Sequence, residues 1–308
     1  MTELPPVWDP VNDDEFEVDE AIYVYGVRRT GKTRTSTKIL LDLRRYFPIV
    51  FCFTGTSLNN HWQQVLPEHK VISVETTADG SDLLNTQMMQ LLNTNLKRYN
   101  QWRQNAAKGR KEGNPITLII NEDAIADDTL RRVHAMNVLS ANGRWHGVCS
   151  ITLAQAWKGL SPIQRQNIDR YLLFKPDDPS VSEFVRDRFG KDVLAMFMRV
   201  VSEPYRAFVI NNKATAKVKF MMYKADNEEL ERMIKRNVHL GDDKLWEGID
   251  IEEQKSRFPC VDLPAKSTLR NGFNKRPPLH EDDALDDVAK PEPQKKDDTE
   301  SFKTCLLL

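Results

Sequence analysis

The feature that most constrains the fold of this chain is a glycine-rich segment between an apolar run and an amphipathic one. The apolar run, Ala21 to Tyr25, is typical of a buried strand, and the next residues, Gly26 to Thr33, read Gly-Val-Arg-Arg-Thr-Gly-Lys-Thr. This is the G-x-x-x-x-G-K-[ST] pattern of a phosphate-binding loop in its required context, because a helix is predicted from Thr33 to about Tyr46. We therefore predict that the chain binds a nucleoside triphosphate.

The residue types of this loop match the chemistry of polyphosphate binding. Glycines at its two ends allow the backbone to curl until successive N–H groups face a phosphate. We expect Lys32 to reach the β- and γ-phosphates of ATP and the Thr33 hydroxyl to coordinate Mg²⁺. The positive end of the helix dipole faces the same anion. The predicted cofactor-binding residues are Gly26, Val27, Arg28, Arg29, Thr30, Gly31, Lys32, Thr33 and Arg34.

A second apolar run, Ile116 to Ile120, predicts a strand that ends in the polar sequence Asn121-Glu122-Asp123. At the end of a central strand, one acid can hold the Mg²⁺ shell while its neighbour orients and deprotonates the attacking water. If the strand ends at Ile120, Asn121 takes the metal-side position and Glu122 is the base. If it ends one residue later, Glu122 is the metal-side acid and Asp123 is the base. We favour the second arrangement because an amide is a poor charge-bearing ligand. In a plainer interpretation the acids cap the next helix.

The next predicted strand, Val148 to Leu153, leads to Gln155. A glutamine at the carboxyl end of a neighbouring strand can hydrogen-bond the attacking water or the γ-phosphate, and so report which nucleotide is bound. Lys32, Glu122, Asp123 and Gln155 are therefore predicted catalytic residues, and Thr33 and Glu122 are the predicted metal-side pair.

Short apolar runs alternate with amphipathic stretches from about residue 21 to residue 236, which predicts an α/β domain. Continuous apolar strands separated by helices are typical of a mostly parallel sheet covered by helices on both faces. An antiparallel hairpin is expected from Tyr205 to Tyr223, with a helix after it at about Asp226 to Arg236. The strand candidates are Ala21–Tyr25, Ile49–Phe53, Val71–Val74, Ile116–Ile120, Val148–Leu153 and Tyr171–Lys175.

Composition and charge exclude several other classes of protein. The formal net charge is −1, so any DNA contact must come from local basic patches rather than from overall charge. The four cysteines form no CxxC pair and the six histidines show no metal-ligand spacing, which is typical of a reducing compartment and argues against structural zinc. We expect neither a signal peptide nor a membrane span, because no apolar run approaches the ~18 residues that a span needs.

The composition divides the chain into an acidic N-terminal arm (1–20), an ATPase domain (21–240) and a charged, largely disordered tail (241–308). The tail has too little apolar surface to offset its ordering entropy. It ends Cys-Leu-Leu-Leu, which fits the C-a-a-X pattern for geranylgeranylation of Cys305. The lysines upstream are interspersed with acids and make a poor second membrane signal. Membrane contact through a lipid on Cys305 is therefore a hypothesis only.

Together these motifs resemble the FtsK–HerA superfamily of P-loop ATPases, and within it the poxvirus-type genome-packaging ATPases of large double-stranded DNA viruses and their virophage or transposon relatives. The resemblance covers roughly residues 20 to 225 and rests on Gly26–Thr33, Asn121–Asp123, Arg144–Gly147, Gln155 and Ser161–Phe174. The Glu-Asp order and the long acidic tail depart from the family, which usually ends this strand in Asp-Asp or Asp-Glu. The resemblance implies an ASCE, RecA-like P-loop NTPase fold with a C-terminal β-hairpin. It also implies a multimeric, hexameric ring that uses ATP to move duplex DNA.

A ring motor of this kind needs cations in two places. One is an arginine from the neighbouring subunit that stabilises charge on the γ-phosphoryl group. Arg165 is the preferred catalytic candidate because its position matches the family, and the alternatives are Arg144 and the pair Arg131-Arg132. The other place is the DNA path, for which residues 97–111 offer a basic stretch with two interleaved aromatic residues. A solvated helix end is the plainer interpretation of that stretch.

The resemblance further implies a capsid or portal-vertex protein as partner, and a location in the virion or in the viral factory of the host cytoplasm. Two other classes remain open from the residues alone. A nucleoside or nucleotide kinase would need an arginine-rich lid and a phosphoacceptor pocket, but not the acid pair followed by Gln155. A nucleotide-gated assembly or scaffold protein would hydrolyse ATP slowly and without stimulation by DNA.

Overall fold

A computed structural model of the chain describes residues 3–55, 60–73, 78–109, 115–122, 134–157 and 160–242. Its strands are β1 (Ala21–Tyr25), β2 (Ile49–Thr54), β3 (Val71–Ser73), β4 (Thr117–Glu122), β5 (Val148–Ala154), β6 (Arg170–Leu173), β7 (Arg206–Asn211) and β8 (Phe220–Lys224). They form an eight-stranded sheet in the order β3-β2-β4-β5-β1-β6-β7-β8. The strands from β3 to β6 in this order are parallel, and β7 is antiparallel to β6 and β8. The predicted α/β fold and its C-terminal hairpin are confirmed.

Helices lie on both faces of the sheet, as the pattern of apolar strands predicts. They are α1 (Lys32–Asp42), α2 (Asn60–Gln63), α3 (Ala78–Ala107), α4 (His134–Asn142), α5 (Pro162–Gln166), α6 (Pro179–Phe189), α7 (Lys191–Val201) and α8 (Asn227–Lys235). Side-chain caps define several of their starts. Ser161 and Gln164 form a reciprocal capping box at α5, and the Asp226 carboxylate accepts two backbone N–H bonds at α8.

Strand β1 shows how the sheet separates two hydrophobic cores. Ile22 and Val24 point to the core that contains α1, whereas Tyr23 and Tyr25 point to the core that contains α6 and α7. All four side chains are buried, because alternate side chains of a strand face opposite sides and both sides are covered. The glycine-rich loop after β1 therefore emerges from a strand that is buried on both faces of the sheet.

The hairpin differs from its predicted bounds. Strand β8 begins at Phe220, four residues later than the pattern Ala216–Tyr223 predicts. The physical reason lies in the N-terminal arm, where the Glu15 carboxylate accepts hydrogen bonds from the backbone N–H groups of Lys217 (2.7 Å) and Val218 (3.4 Å). Those donors are thus unavailable for pairing between strands.

The N-terminal arm packs against the sheet. The backbone N–H of Trp8 donates to the Met222 carbonyl, and the backbone N–H of Met222 donates to the Pro6 carbonyl, both at 2.8 Å. The arm therefore covers the edge of the sheet at β8. The buried carboxylate of Glu20 accepts two hydrogen bonds from the buried guanidinium of Arg170, at 2.9 and 3.1 Å. Burial alone would raise the pKa of Glu20, but Arg170 and Lys213 more than offset it, and the pKa is lowered.

All the described residues belong to one compact unit. None of the helices within the described ranges combines the length and apolar character that crossing a membrane requires. The predicted disordered tail lies outside the described residues from position 243 onward, and Cys305 lies there with it. Within the described residues, Cys52 and Cys149 are buried free thiols, and burial raises the pKa of both well above the ordinary value.

Candidate active site

The predicted site residues meet at the carboxyl edge of the parallel strands. Tyr25 of β1 is in register with Ala154 of β5, and Leu153 of β5 is in register with Glu122 of β4. The loop that follows β1 is tied to this edge directly, since the Gly26 N–H donates to the Ala154 carbonyl at 3.3 Å. Open α/β sheets bind their ligands at this edge.

The glycine-rich loop is closed around its lysine. The Lys32 ammonium donates to the carbonyls of Gly26 (2.5 Å) and Val27 (2.9 Å), and the Thr30 hydroxyl donates to the Val27 carbonyl (2.8 Å). Gly31 has a φ of 96°, in the left-handed region that favours glycine. A Cβ at position 26 would lie 2.7 Å from the Phe174 Cβ, so only glycine fits there.

The Glu122 carboxylate is held from two sides. The Thr33 hydroxyl donates to its Oε1, and the Trp62 indole N–H donates to its Oε2 at 2.5 Å. Glu122 is 6% exposed. Asn121 faces the opposite core, where its amide nitrogen donates to Thr152 at 3.5 Å and its oxygen has no partner within the described ranges. Strand β4 ends at Glu122, later than either arrangement considered above, and it places the Glu122 carboxylate against the Thr33 hydroxyl. Asp123 lies outside the described residues.

A second layer of contacts supports Thr33 and Glu122. Trp62 and His61 lie in α2, which follows β2, and β2 borders β4 in the sheet. The His61 Nε2 lies 2.8 Å from the Thr37 hydroxyl, which donates to the Thr33 carbonyl at 2.8 Å. Burial and the charge of Arg34 lower the pKa of His61, so its imidazole is neutral at pH 7. Sequence reasoning missed both aromatic residues, although parallel β2–β4 pairing would have brought this segment to the site.

The residues present fit a nucleotide with its magnesium ion. A threonine hydroxyl beside a carboxylate supplies the oxygen ligands that Mg²⁺ takes along with phosphate oxygens and water. Lys32 already makes hydrogen bonds that phosphate oxygens can replace. Within the described residues, no group of three or more His, Cys, Asp and Glu side chains is arranged to hold a metal by itself.

Comparison with known proteins identifies the fold. No protein-family model matches the sequence, and no curated protein matches it. Among solved structures, the pCW3 conjugation coupling protein TcpA with ATPγS superposes with a TM-score of 0.51 and 16% identity, over 76% of this chain and 74% of TcpA. The ATPases 2 and 3 of EssC from Geobacillus thermodenitrificans give 0.50 and 16%, over 80% of this chain. The chain has the fold of the P-loop ATPases.

The chain spans 47% of the EssC structure, a little under half of its length. The genome-packaging NTPase B204 of Sulfolobus turreted icosahedral virus 2, in complex with ATPγS, matches with a TM-score of 0.47 and 12% identity, over 68% of this chain and 98% of B204. TcpA and EssC share the fold that the predicted resemblance implies, so the resemblance is confirmed at the level of the fold.

Gln155 lies directly after β5 and contacts the P-loop. The Arg28 guanidinium donates to the Gln155 side-chain oxygen at 3.1 Å, a link between loop and strand end that the sequence did not reveal. Arg29, the next residue of the loop, has a backbone φ of 63°, in the left-handed region. Arg34, predicted to bind the cofactor, pairs with Glu231 of α8 at 2.6 Å. Arg28 thus joins the loop to Gln155, a second predicted site residue.

The structure does not bring Arg165 to the P-loop of its own chain. Helix α5 comes shortly before the amino end of β6, and the Tyr171 hydroxyl donates to the Arg165 carbonyl at 2.8 Å. The P-loop follows the carboxyl end of β1, at the other edge of the sheet. Arg144 also lies toward the amino edge, before β5, where it pairs with Asp169. Residues 131 and 132, the third candidate, lie outside the described ranges.

The aromatic residues of the basic stretch serve packing. Tyr99 is 1% exposed and stacks on Trp102 with ring centroids 6.2 Å apart. Its ring fills the space over Gly147, where an added Cβ would lie 2.6 Å from the Tyr99 Cδ2. Tyr99 is therefore no platform for nucleic-acid bases. The C-terminal end of the stretch, residues 110 and 111, lies outside the described residues.

Proposed function

We propose that this chain is a Mg²⁺-dependent ATPase that moves double-stranded DNA and packages a viral genome into a capsid. The observation that carries the ATPase proposal is the contact between the Thr33 hydroxyl and the Glu122 carboxylate, next to Lys32 in a closed P-loop. Of the solved structures of similar fold, that of EssC comprises ATPases 2 and 3, and that of TcpA contains ATPγS. The resemblance of the motifs to packaging ATPases supports the coupling to DNA.

The described residues suggest how the phosphates would be held. Lys32 would exchange its carbonyl partners, those of Gly26 and Val27, for β- and γ-phosphate oxygens without a large movement of the loop. Thr33 and Glu122 would hold Mg²⁺, which when bound neutralises charge on the β- and γ-phosphates. Because Glu122 is buried and held on both oxygens, its orientation is set before the nucleotide arrives.

Two further residues are proposed to act on the attacking water and on the γ-phosphate. Asp123, directly after Glu122, is the proposed base that takes the proton of the attacking water. Gln155 is the proposed sensor of the γ-phosphate, and its bond to Arg28 connects it with the loop that the phosphates contact. Through this bond, loss of the γ-phosphate would affect both the loop after β1 and Gln155 after β5.

The proposal includes a homo-oligomeric, hexameric ring. Since Arg165 lies away from its own P-loop, any action on the γ-phosphoryl group must occur in a neighbouring subunit. Lys97, Arg98, Arg103 and Lys108 of α3 and its end are the described residues proposed to contact DNA phosphates, which requires only a basic patch. A capsid or portal-vertex protein is the proposed docking partner, in the virion or the host cytoplasm.

The test is ATP hydrolysis by the purified chain with Mg²⁺, with and without duplex DNA. We expect activity that duplex DNA of any sequence stimulates, less so as salt is raised. Lys32→Ala should abolish turnover and leave the fold intact. Lys191→Ala, which changes an exposed lysine at the start of α7, is the matched control and should leave turnover unchanged.

Three other outcomes of these measurements would contradict the proposal. Near-normal turnover by Lys32→Ala would contradict the P-loop assignment. Slow hydrolysis that DNA leaves unchanged would indicate a nucleotide-gated scaffold, and transfer of phosphate to an added nucleoside would indicate a kinase.

A further inference from the structure

An exposed aromatic ring lies against the P-loop. Tyr205, directly before β7, is 51% exposed, and its Cδ1 would lie 3.0 Å from a Cβ added to Gly31. Its backbone φ is 60°, a left-handed conformation that bulky residues rarely adopt. The turn that carries it is closed by an ion pair of 2.5 Å between Glu203 and Arg206. The ring is thus carried by a strained backbone in a turn that an ion pair braces, and strained backbone is typical of functional positions.

The sheet order defines which end of a nucleotide Tyr205 would meet. The predicted γ-phosphate side consists of Glu122, the last residue of β4, and Gln155, directly after β5, and both strands lie on one side of β1. Tyr205 precedes β7, on the other side of β1 and two strands away, at roughly 10 Å. Strand β7 is antiparallel to β6, so its start lies at the same edge as the P-loop. A triphosphate with its γ end toward β4 and β5 therefore directs its nucleoside toward β6 and β7.

We propose that Tyr205 is the platform on which the base of the bound nucleotide stacks, an inference that rests on the proposed function. A half-exposed aromatic ring offers one π face and excludes water from one side of a base. Gly31 lets the ring sit directly over the loop, since a side chain there would displace it. Stacking reads the size of the π surface rather than hydrogen-bonding edges. The site therefore prefers purine over pyrimidine triphosphates and separates ATP from GTP weakly.

The test compares affinities for Mg·ATP and for Mg·tripolyphosphate, which carries the phosphates without a base, by calorimetry. Tyr205→Gly removes the ring, and glycine tolerates the left-handed φ without added strain. We expect it to weaken Mg·ATP by about 5- to 100-fold and to leave Mg·tripolyphosphate within about twofold. Tyr205→Phe keeps the ring and should bind ATP as the wild type does. Trp145→Ala changes an exposed aromatic residue near the amino edge and is the matched control.

Two outcomes would overturn the inference. Equal loss of both affinities in Tyr205→Gly would mean that the ring supports the P-loop itself. Unchanged affinity for Mg·ATP would mean that the base lies elsewhere. Either result leaves the proposed ATPase intact, whereas failure of the wild-type chain to bind both ligands would refute the proposed function and this inference with it.

Discussion

The hydrogen bond between Trp62 and Glu122 leads to a quantitative prediction. The indole N–H donates to the Glu122 Oε2 at 2.5 Å, and Trp62 is fully buried. Trp62→Phe removes the donor and leaves one oxygen of a buried carboxylate without this partner. We expect the free energy of unfolding to fall by at least the net worth of a hydrogen bond to a charged group, about 1.5–3 kcal/mol.

A double-mutant cycle separates this bond from the lost volume of the indole. Glu122→Gln keeps the shape of the acceptor and removes its charge. The charge-assisted bond is worth about 1.5–3 kcal/mol and a neutral one about 0.5–1.5 kcal/mol, so the coupling energy should be about 1–1.5 kcal/mol. The cavity left by the indole is common to both backgrounds and cancels.

The assay is urea unfolding of the wild type, the two single variants and the double variant, followed by far-ultraviolet circular dichroism. Trp157→Phe is the matched control, because Trp157 is a buried tryptophan packed against Tyr25 in the opposite core. Its effect should add to that of Glu122→Gln. A coupling energy below about 0.5 kcal/mol between Trp62 and Glu122, the limit for independent sites, would refute the interaction.

Three other perturbations test separate parts of the molecule. Gly26→Ala places a Cβ 2.7 Å from the Phe174 Cβ, so it should lower the free energy of unfolding in urea by about 1–3 kcal/mol and weaken ATP binding. Gly143→Ala, whose added Cβ meets nothing nearer than 3.5 Å, is the control and should change neither quantity. Glu20→Gln should lose about 3–5 kcal/mol at pH 7. The folded-state pKa of this carboxyl lies below the ordinary 4.5, so the ionised group stabilises the fold above that pH. The difference in the free energy of unfolding between wild type and variant should therefore shrink as the pH falls through the folded-state pKa. A difference that stays constant with pH would contradict the lowered pKa. Arg165→Ala subunits mixed with wild type should lower ATPase activity more than proportionally, and a linear decline would exclude a role in a neighbouring subunit.

Local sequence determined the parts of the protein that depend on short segments. The pattern from Gly26 to Thr33 needs only a strand before it and a helix after it, and both are encoded within a few residues. The apolar runs likewise predicted the strands of the sheet to within a few residues, because a strand buried on both faces needs a continuous apolar run. The order of the motifs along the chain was enough for the predicted fold.

Only the tertiary structure decided which side chains surround these motifs. Trp62 meets Glu122 across 60 positions because β2 pairs with β4, and Arg28 meets Gln155 because β1 pairs with β5. The sequence carries no local signal for either pairing. The late start of β8 likewise depends on Glu15, about two hundred residues away in the chain. Such contacts depend on strand order, which many distant residues determine jointly, whereas a motif depends on its own backbone.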